Sequence, residues 1–115
     1  MFIRVFTTAA LALFVTQAQA VSFDCQKAKT FVEKAICQNQ ELSDLDDELR
    51  VQYDTALTDN KNPAAFKKQQ LKWLKQRDTC QTVDCLKKSY NQRIKALNKY
   101  NNDPKNFKTD MGGDY

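Results

Sequence analysis

The segment Leu42-Ser43-Asp44-Leu45-Asp46-Asp47-Glu48-Leu49-Arg50-Val51-Gln52-Tyr53-Asp54-Thr55-Ala56-Leu57 decides the fold class. Its apolar residues Leu42, Leu45, Leu49, Tyr53, Ala56 and Leu57 recur at intervals of three and four, the spacing that lines one face of an α-helix. Three further stripes repeat the pattern. Ala28, Phe31, Val32, Ala35 and Ile36 form a short one. Phe66, Gln70, Trp73, Leu74 and Arg77 form one with polar intrusions, and Leu86, Tyr90, Ile94 and Leu97 form the last. Breaks fall at Asn39-Gln40, at Asp59-Asn60-Lys61-Asn62-Pro63 and around Gln81-Thr82. Pro63 suits the first turn of a helix, and Thr82 suits an N-cap. The spacing therefore predicts helices near 29–38, 41–58, 63–79 and 83–100. The chain has only two glycines, Gly112 and Gly113, too few for the turns of a β-rich domain. The expected fold is all-α, a small antiparallel bundle of about four helices.

The ends differ in character. Residues 1–20 carry Arg4, an apolar run from about Val5 to Val15, and then Ala18-Gln19-Ala20. This is the layout of a secretory signal peptide, with Val21 as the expected mature N-terminus. The apolar run is short for a bilayer span, and no Cys follows the cleavage site directly. A soluble exported protein, periplasmic or secreted, is expected, with no membrane insertion after cleavage. Residues 21–100 form the helical domain. Residues 101–115 lose periodicity and are expected to be a mobile tail.

Export gives the four cysteines of the mature chain, Cys25, Cys37, Cys80 and Cys85, the meaning of a disulfide framework. A zinc site would call for Cys-x-x-Cys spacing or histidine, and the chain has no histidine. No metal or cofactor is expected. Three pairings are open. The expected one is Cys25–Cys37 with Cys80–Cys85. A helix from about residue 29 to 37 rises roughly 12 Å, and the lead from Cys25 spans that distance if it folds back along the helix. Cys80 and Cys85 flank a helix–helix turn, where Cα atoms approach the roughly 4.4–6.8 Å a disulfide needs. The competing map joins Cys37 to Cys80 or Cys85, since antiparallel second and third helices bring Cys37 and that turn to one end.

Charge is sorted along the chain. Residues 21–60 hold four Lys/Arg and nine Asp/Glu, whereas residues 61–100 hold eleven Lys/Arg and two Asp/Glu. Mutual attraction of an acidic and a basic hairpin accounts for much of this, at about 0–1 kcal/mol per surface pair. The dense run Glu41, Asp44, Asp46, Asp47 and Glu48 also suits the positive end of a helix dipole, and it would attract a cationic partner. Catalytic signals are sparse. Without histidine there is no common general base near neutral pH and no Ser-His or Cys-His pair. There is no glycine-rich phosphate loop. Carboxylates on the faces of a small bundle offer little cleft for glycoside chemistry. An enzyme is not expected. The basic third and fourth helices, with Trp73 and Tyr90, have the composition of a nucleic-acid surface. Those aromatics fall on the apolar face, however, and an exported protein rarely meets nucleic acid, so none is expected.

Specific residues resemble a known family. Phe23-Asp24-Cys25-x-x-Ala28 leads to Glu33-Lys34-Ala35-Ile36-Cys37. Leu45-Asp46-x-x-Leu49-x-x-x-Tyr53-x-x-Ala56 follows. Next come Gln70-x-x-Trp73-x-x-x-Arg77-Asp78-x-Cys80 and Cys85-Leu86-x-x-x-Tyr90-x-x-Arg93-Ile94-x-x-Leu97. Over about residues 23–97 this resembles the LprI-type lysozyme-inhibitor family, in its N-terminal domain. The resemblance implies a small secreted helical domain with disulfides and lysozyme as partner. The shared residues themselves are structural in kind. Trp73, Tyr53 and Tyr90 are expected in the core. An Asp46–Arg77 pair is expected to hold two helices together, since an arginine near a core needs a carboxylate. For partner binding the exposed candidates are Glu41, Asp44, Asp47 and Glu48, with Lys61 and Asp84 in the two interhelical turns. A second function class is a periplasmic binding or scaffold module of the cell envelope that does not inhibit lysozyme.

Overall fold

The computed structural model describes residues 23–58 and 60–106. The expected signal peptide and the residues from 107 onward lie outside them. A short 3-10 turn, Cys25–Lys27, precedes α1 (Phe31–Gln38), α2 (Gln40–Thr58), α3 (Pro63–Arg77) and α4 (Val83–Asn101). Among the described residues there is no strand, and the all-α bundle stands as expected.

Each helix starts where a side chain takes up an orphan backbone N–H. Thr30 Oγ1 accepts from Glu33 N–H at 3.1 Å in α1. Asn62 Oδ1 accepts from Ala65 N–H at 3.2 Å in α3, just before Pro63. Thr82 Oγ1 accepts from Cys85 N–H at 3.1 Å in α4. Asn39 serves two helices: its N–H closes α1 on Ala35 O, and its Oδ1 accepts from Leu42 N–H at 3.1 Å to open α2. Capping moves two expected boundaries. Helix α1 begins two residues later than its stripe implies, because Thr30 is extended as the N-cap. Helix α3 ends at Arg77 rather than residue 79, where Asp78 closes it.

Sequential neighbours among the three long helices run antiparallel. Tyr53 stacks on Phe66 while Asp46 lies near Arg77, across α2 and α3. Phe66 stacks on Tyr100 while Arg77 meets Tyr90, across α3 and α4. In consequence α2 and α4 run parallel, with contacts stepping from Glu41–Lys87 through Asp46–Tyr90 to Gln52–Asn101. Among the described residues this parallel pair makes the most extensive helix contact. Ile36, Leu42, Leu86, Tyr90 and Leu97 are fully buried at the centre, each aliphatic one stabilising by about 1.5–3 kcal/mol relative to exposure. Phe31, placed on the apolar stripe of α1 by its spacing, is instead 49% exposed. Val32, Ala35 and Ile36 carry that face.

Cys25 is bonded to Cys37 and Cys80 to Cys85, with Cα atoms 5.8 and 5.6 Å apart. The competing map fails on placement. The N-terminal end of α1, Thr30–Val32, lies beside the Asp78–Gln81 turn, while Cys37 sits near the far end of α1. Residue 101, where the tail is expected to start, belongs to α4. Asn101 Nδ2 donates to Gln52 O and Oε1 at 3.0 and 2.8 Å. Pro104–Asn106 forms a 3-10 turn, with Asn106 Nδ2 donating to Tyr100 O.

Candidate functional site

Two sets of polar residues stand out, one inside the bundle and one on its surface. The inner set lies where α2, α3 and α4 meet. Tyr90, 0% exposed, donates its hydroxyl proton to Asp46 Oδ1 at 2.7 Å. Arg77 Nη1 donates to the same hydroxyl at 3.1 Å. Asp46 and Arg77 are 3% and 8% exposed, and Arg77 Nη1 stands 4.0 Å from Asp46 Oδ1. The phenol thus relays between the two charges. The other edge of the guanidinium is forked on Asp78 Oδ1, Nε at 3.1 Å and Nη2 at 2.8 Å. Trp73 closes the site, edge-on to Tyr90 at 5.2 Å with Arg77 over its ring at 5.8 Å.

Burial opposes the charge on Arg77, but Tyr90 and Asp78 outweigh it, so the guanidinium is held above its ordinary value. Burial first, then the Asp46 carboxylate, push the Tyr90 phenol far above its ordinary 10.0, with Arg77 pulling partly back. The unfolded chain releases this proton near pH 10, whereas the folded protein keeps it. Stability is therefore full below pH 10 and falls as pH rises beyond it, by about 1.4 kcal/mol per pH unit from this group. Urea unfolding of the native protein and Tyr90→Phe between about pH 9 and pH 11 checks this. The variant is expected to lose that part of the slope, and an unchanged slope would remove Tyr90 as its source.

A second polar contact binds α3 to α4. Arg93 Nε donates to Gln70 Oε1 at 2.9 Å, with the guanidinium 5.9 Å from the Phe66 ring. Burial lowers the pKa of Arg93, and its buried Nη2 makes no hydrogen bond.

The surface set is less concentrated than its spacing in the sequence implies. Glu41, Asp44 and Glu48 are exposed along one line of α2, and Asp47 is half-buried beside them. Glu41 Oε2 pairs with Lys87 Nζ at 2.5 Å. Asp44 accepts from Gln40 Nε2 at 2.9 Å, and Asp47 pairs with Arg50 at 2.8 Å. Asp84, exposed in the first turn of α4, shares this end of the bundle because α2 and α4 are parallel. Lys61 is exposed in the α2–α3 turn at the opposite end, roughly 25–30 Å away along α2. The fold therefore groups the carboxylates and sets Lys61 apart from them.

Among the described residues, no group of three or more His, Cys, Asp or Glu is placed to hold a metal ion. A cleft of about 200 Å³ opens beside Asp46, Tyr53, Trp73 and Arg77, below the roughly 300–1,000 Å³ of ordinary small-molecule sites. No helix among the described residues is long and apolar enough to cross a membrane. Spacing alone placed Tyr90 in the core but did not disclose its hydroxyl as the link. The available signal was that a buried tyrosine hydroxyl requires a partner.

Fold and site together define a small, disulfide-stapled helical domain with a polar junction locked inside its core. Residues 24–97 match the family described as Lysozyme inhibitor LprI, and the chain belongs to that family. It is similar to the protein named Lipoprotein LprI of Mycobacterium bovis and of Mycobacterium tuberculosis, at 34% identity over 80 residues in each. The match takes in 66% of this chain but 40% of those relatives, so the chain spans well under half their length. No solved structure matches.

Proposed function

We propose that this protein is an exported lysozyme inhibitor that acts by protein–protein binding, in the periplasm or outside the cell, without catalysis of its own. The observation that carries this reading is the extent of the family match. Residues 24–97 include both disulfides, α1 to α3 and most of α4, so the matched residues take in most of the described fold. Two disulfides and the leader-like residues 1–20 support an oxidising, extracytoplasmic setting. The exposed carboxylates Glu41, Asp44 and Glu48 suit a basic enzyme of the animal lysozyme type by charge.

Purified disulfide-bonded protein added to a cell-wall lysis assay is expected to slow lysozyme at micromolar concentration, less so as salt is raised. Undiminished lysis at both low and moderate salt would refute the proposal. The alternative reading is an envelope binding or scaffold module that does not inhibit lysozyme. Recovery of a specific envelope partner in a periplasmic pull-down, together with undiminished lysis, would favour that module.

A further inference from the structure

Helix α3 carries four lysines and one arginine and buries only a narrow stripe, Phe66, Gln70, Trp73 and Arg77, about one residue wide per turn. It contains no acidic residue. Arg77 is turned into the junction, but Lys67, Lys68, Lys72 and Lys75 are all exposed. Among the described residues none of the four takes part in a salt bridge. Leu71, 59% exposed, sits in their midst. Lys67 and Lys75 lie one turn to either side of it, Lys68 three residues before it and Lys72 next to it. A lone exposed leucine is unremarkable. One ringed by four lysines is an apolar tip on a cationic face. The basic surface continues onto α4, where Lys88 lines the same groove as Gln76 of α3.

We propose that this outer face of α3 docks on an anionic phospholipid surface, with the lysines at the headgroups and Leu71 at the headgroup–acyl boundary, the protein lying on the bilayer without crossing it. Charge complementarity supplies the attraction, about fivefold in affinity per lysine near an anionic surface. Leu71 selects a bilayer over a soluble anionic polymer, because only the bilayer offers apolar depth. A second copy of the chain would bring the exposed carboxylates Glu41, Asp44 and Glu48 and would show itself as a salt-sensitive dimer.

The test is co-sedimentation of the disulfide-bonded protein with vesicles of phosphatidylcholine alone or with about one third phosphatidylglycerol, an anionic fraction that attracts basic faces. Binding is expected only to the anionic vesicles and is expected to fall steeply with salt. A combined Lys68→Gln, Lys72→Gln and Lys75→Gln variant is expected to weaken binding about 100-fold, three lysine contributions. Leu71→Ala weakens it less, and Lys34→Gln, an exposed cation on α1, leaves it unchanged. All these positions are exposed, so unaltered thermal unfolding serves as the control for folding. The proposal is overturned by equal binding to neutral vesicles or by full binding of the triple variant. It is equally overturned by retention on heparin, or by a salt-sensitive dimer, without vesicle binding.

Discussion

Asp46→Ala is expected to destabilise the protein by about 3 kcal/mol, at the lower end of the ~3–5 kcal/mol typical of breaking a buried charge pair. The substitution removes a carboxylate that accepts the Tyr90 hydroxyl at 2.7 Å and faces Arg77 Nη1 at 4.0 Å. It leaves a fully buried phenol to find another acceptor and a buried guanidinium with less countercharge. Arg77 keeps its fork on Asp78, which is why the lower end applies. Asp46→Asn keeps an acceptor for Tyr90 and loses only the charge, so it is expected to cost less, about 1–2 kcal/mol. Equilibrium urea unfolding of the three proteins orders them. A loss below 1 kcal/mol for the alanine variant would mean that the junction does not lock the helices together. Replacing Asp46, Tyr90 and Arg77 together by Leu, Phe and Met asks a separate question. Such apolar replacements of buried polar groups are often neutral or stabilising. A stable triple variant would show that the junction specifies helix register rather than supplying net stability.

Reduction of the disulfides is the second large effect. Cys25–Cys37 closes a loop of sequence separation 12 and Cys80–Cys85 one of separation 5. Loop-closure entropy then assigns about 3 kcal/mol to the first and about 2 kcal/mol to the second. The structure explains what each restrains. Cys25–Cys37 ties the segment before α1 back along that helix and holds Phe23 against the core. Cys80–Cys85 spans a turn already fixed by the Thr82 cap and by Cys80 N–H donating to Arg77 O. The combined loss of about 5 kcal/mol equals the whole stability of a marginal small domain, about 5–15 kcal/mol. Thermal melts of the oxidised protein, of each paired Cys→Ser variant and of the reduced protein are expected to fall in that order of stability, with Cys80→Ser/Cys85→Ser the milder pair. A reduced protein that melts with the oxidised one would refute the entropic assignment. This dependence fits a protein of an oxidising compartment.

These two predictions concern the folded scaffold, whereas the functional proposals concern its two charged surfaces. The acidic line of α2 and the basic face of α3 lie on different helices, so charge substitutions on one leave the other intact. Lysozyme inhibition and vesicle binding can therefore fail or succeed independently.

Helix content was legible because local spacing reports a local property. Stripes at three and four residues identified four amphipathic segments, and Pro63 and Thr82 marked two starts through backbone chemistry that acts within one turn. The need for an Asp46–Arg77 partnership was legible for a similar reason, since a charge beside apolar neighbours calls for its opposite. Contacts between distant segments were not legible in this way. The parallel pairing of α2 with α4 sets Tyr90, forty-four residues from Asp46, between the two charges. It also brings Asn101 onto Gln52 and extends helix α4 beyond its apolar stripe. Periodicity placed Phe31 inside, because it says which residues share a face but not how wide a face the neighbours cover. Helix α1 is covered along Val32, Ala35 and Ile36 and leaves Phe31 open, and α3 is covered along a single narrow stripe. Periodicity reaches one turn along the chain; burial and hydrogen-bond partnership are set by whatever the rest of the bundle brings alongside.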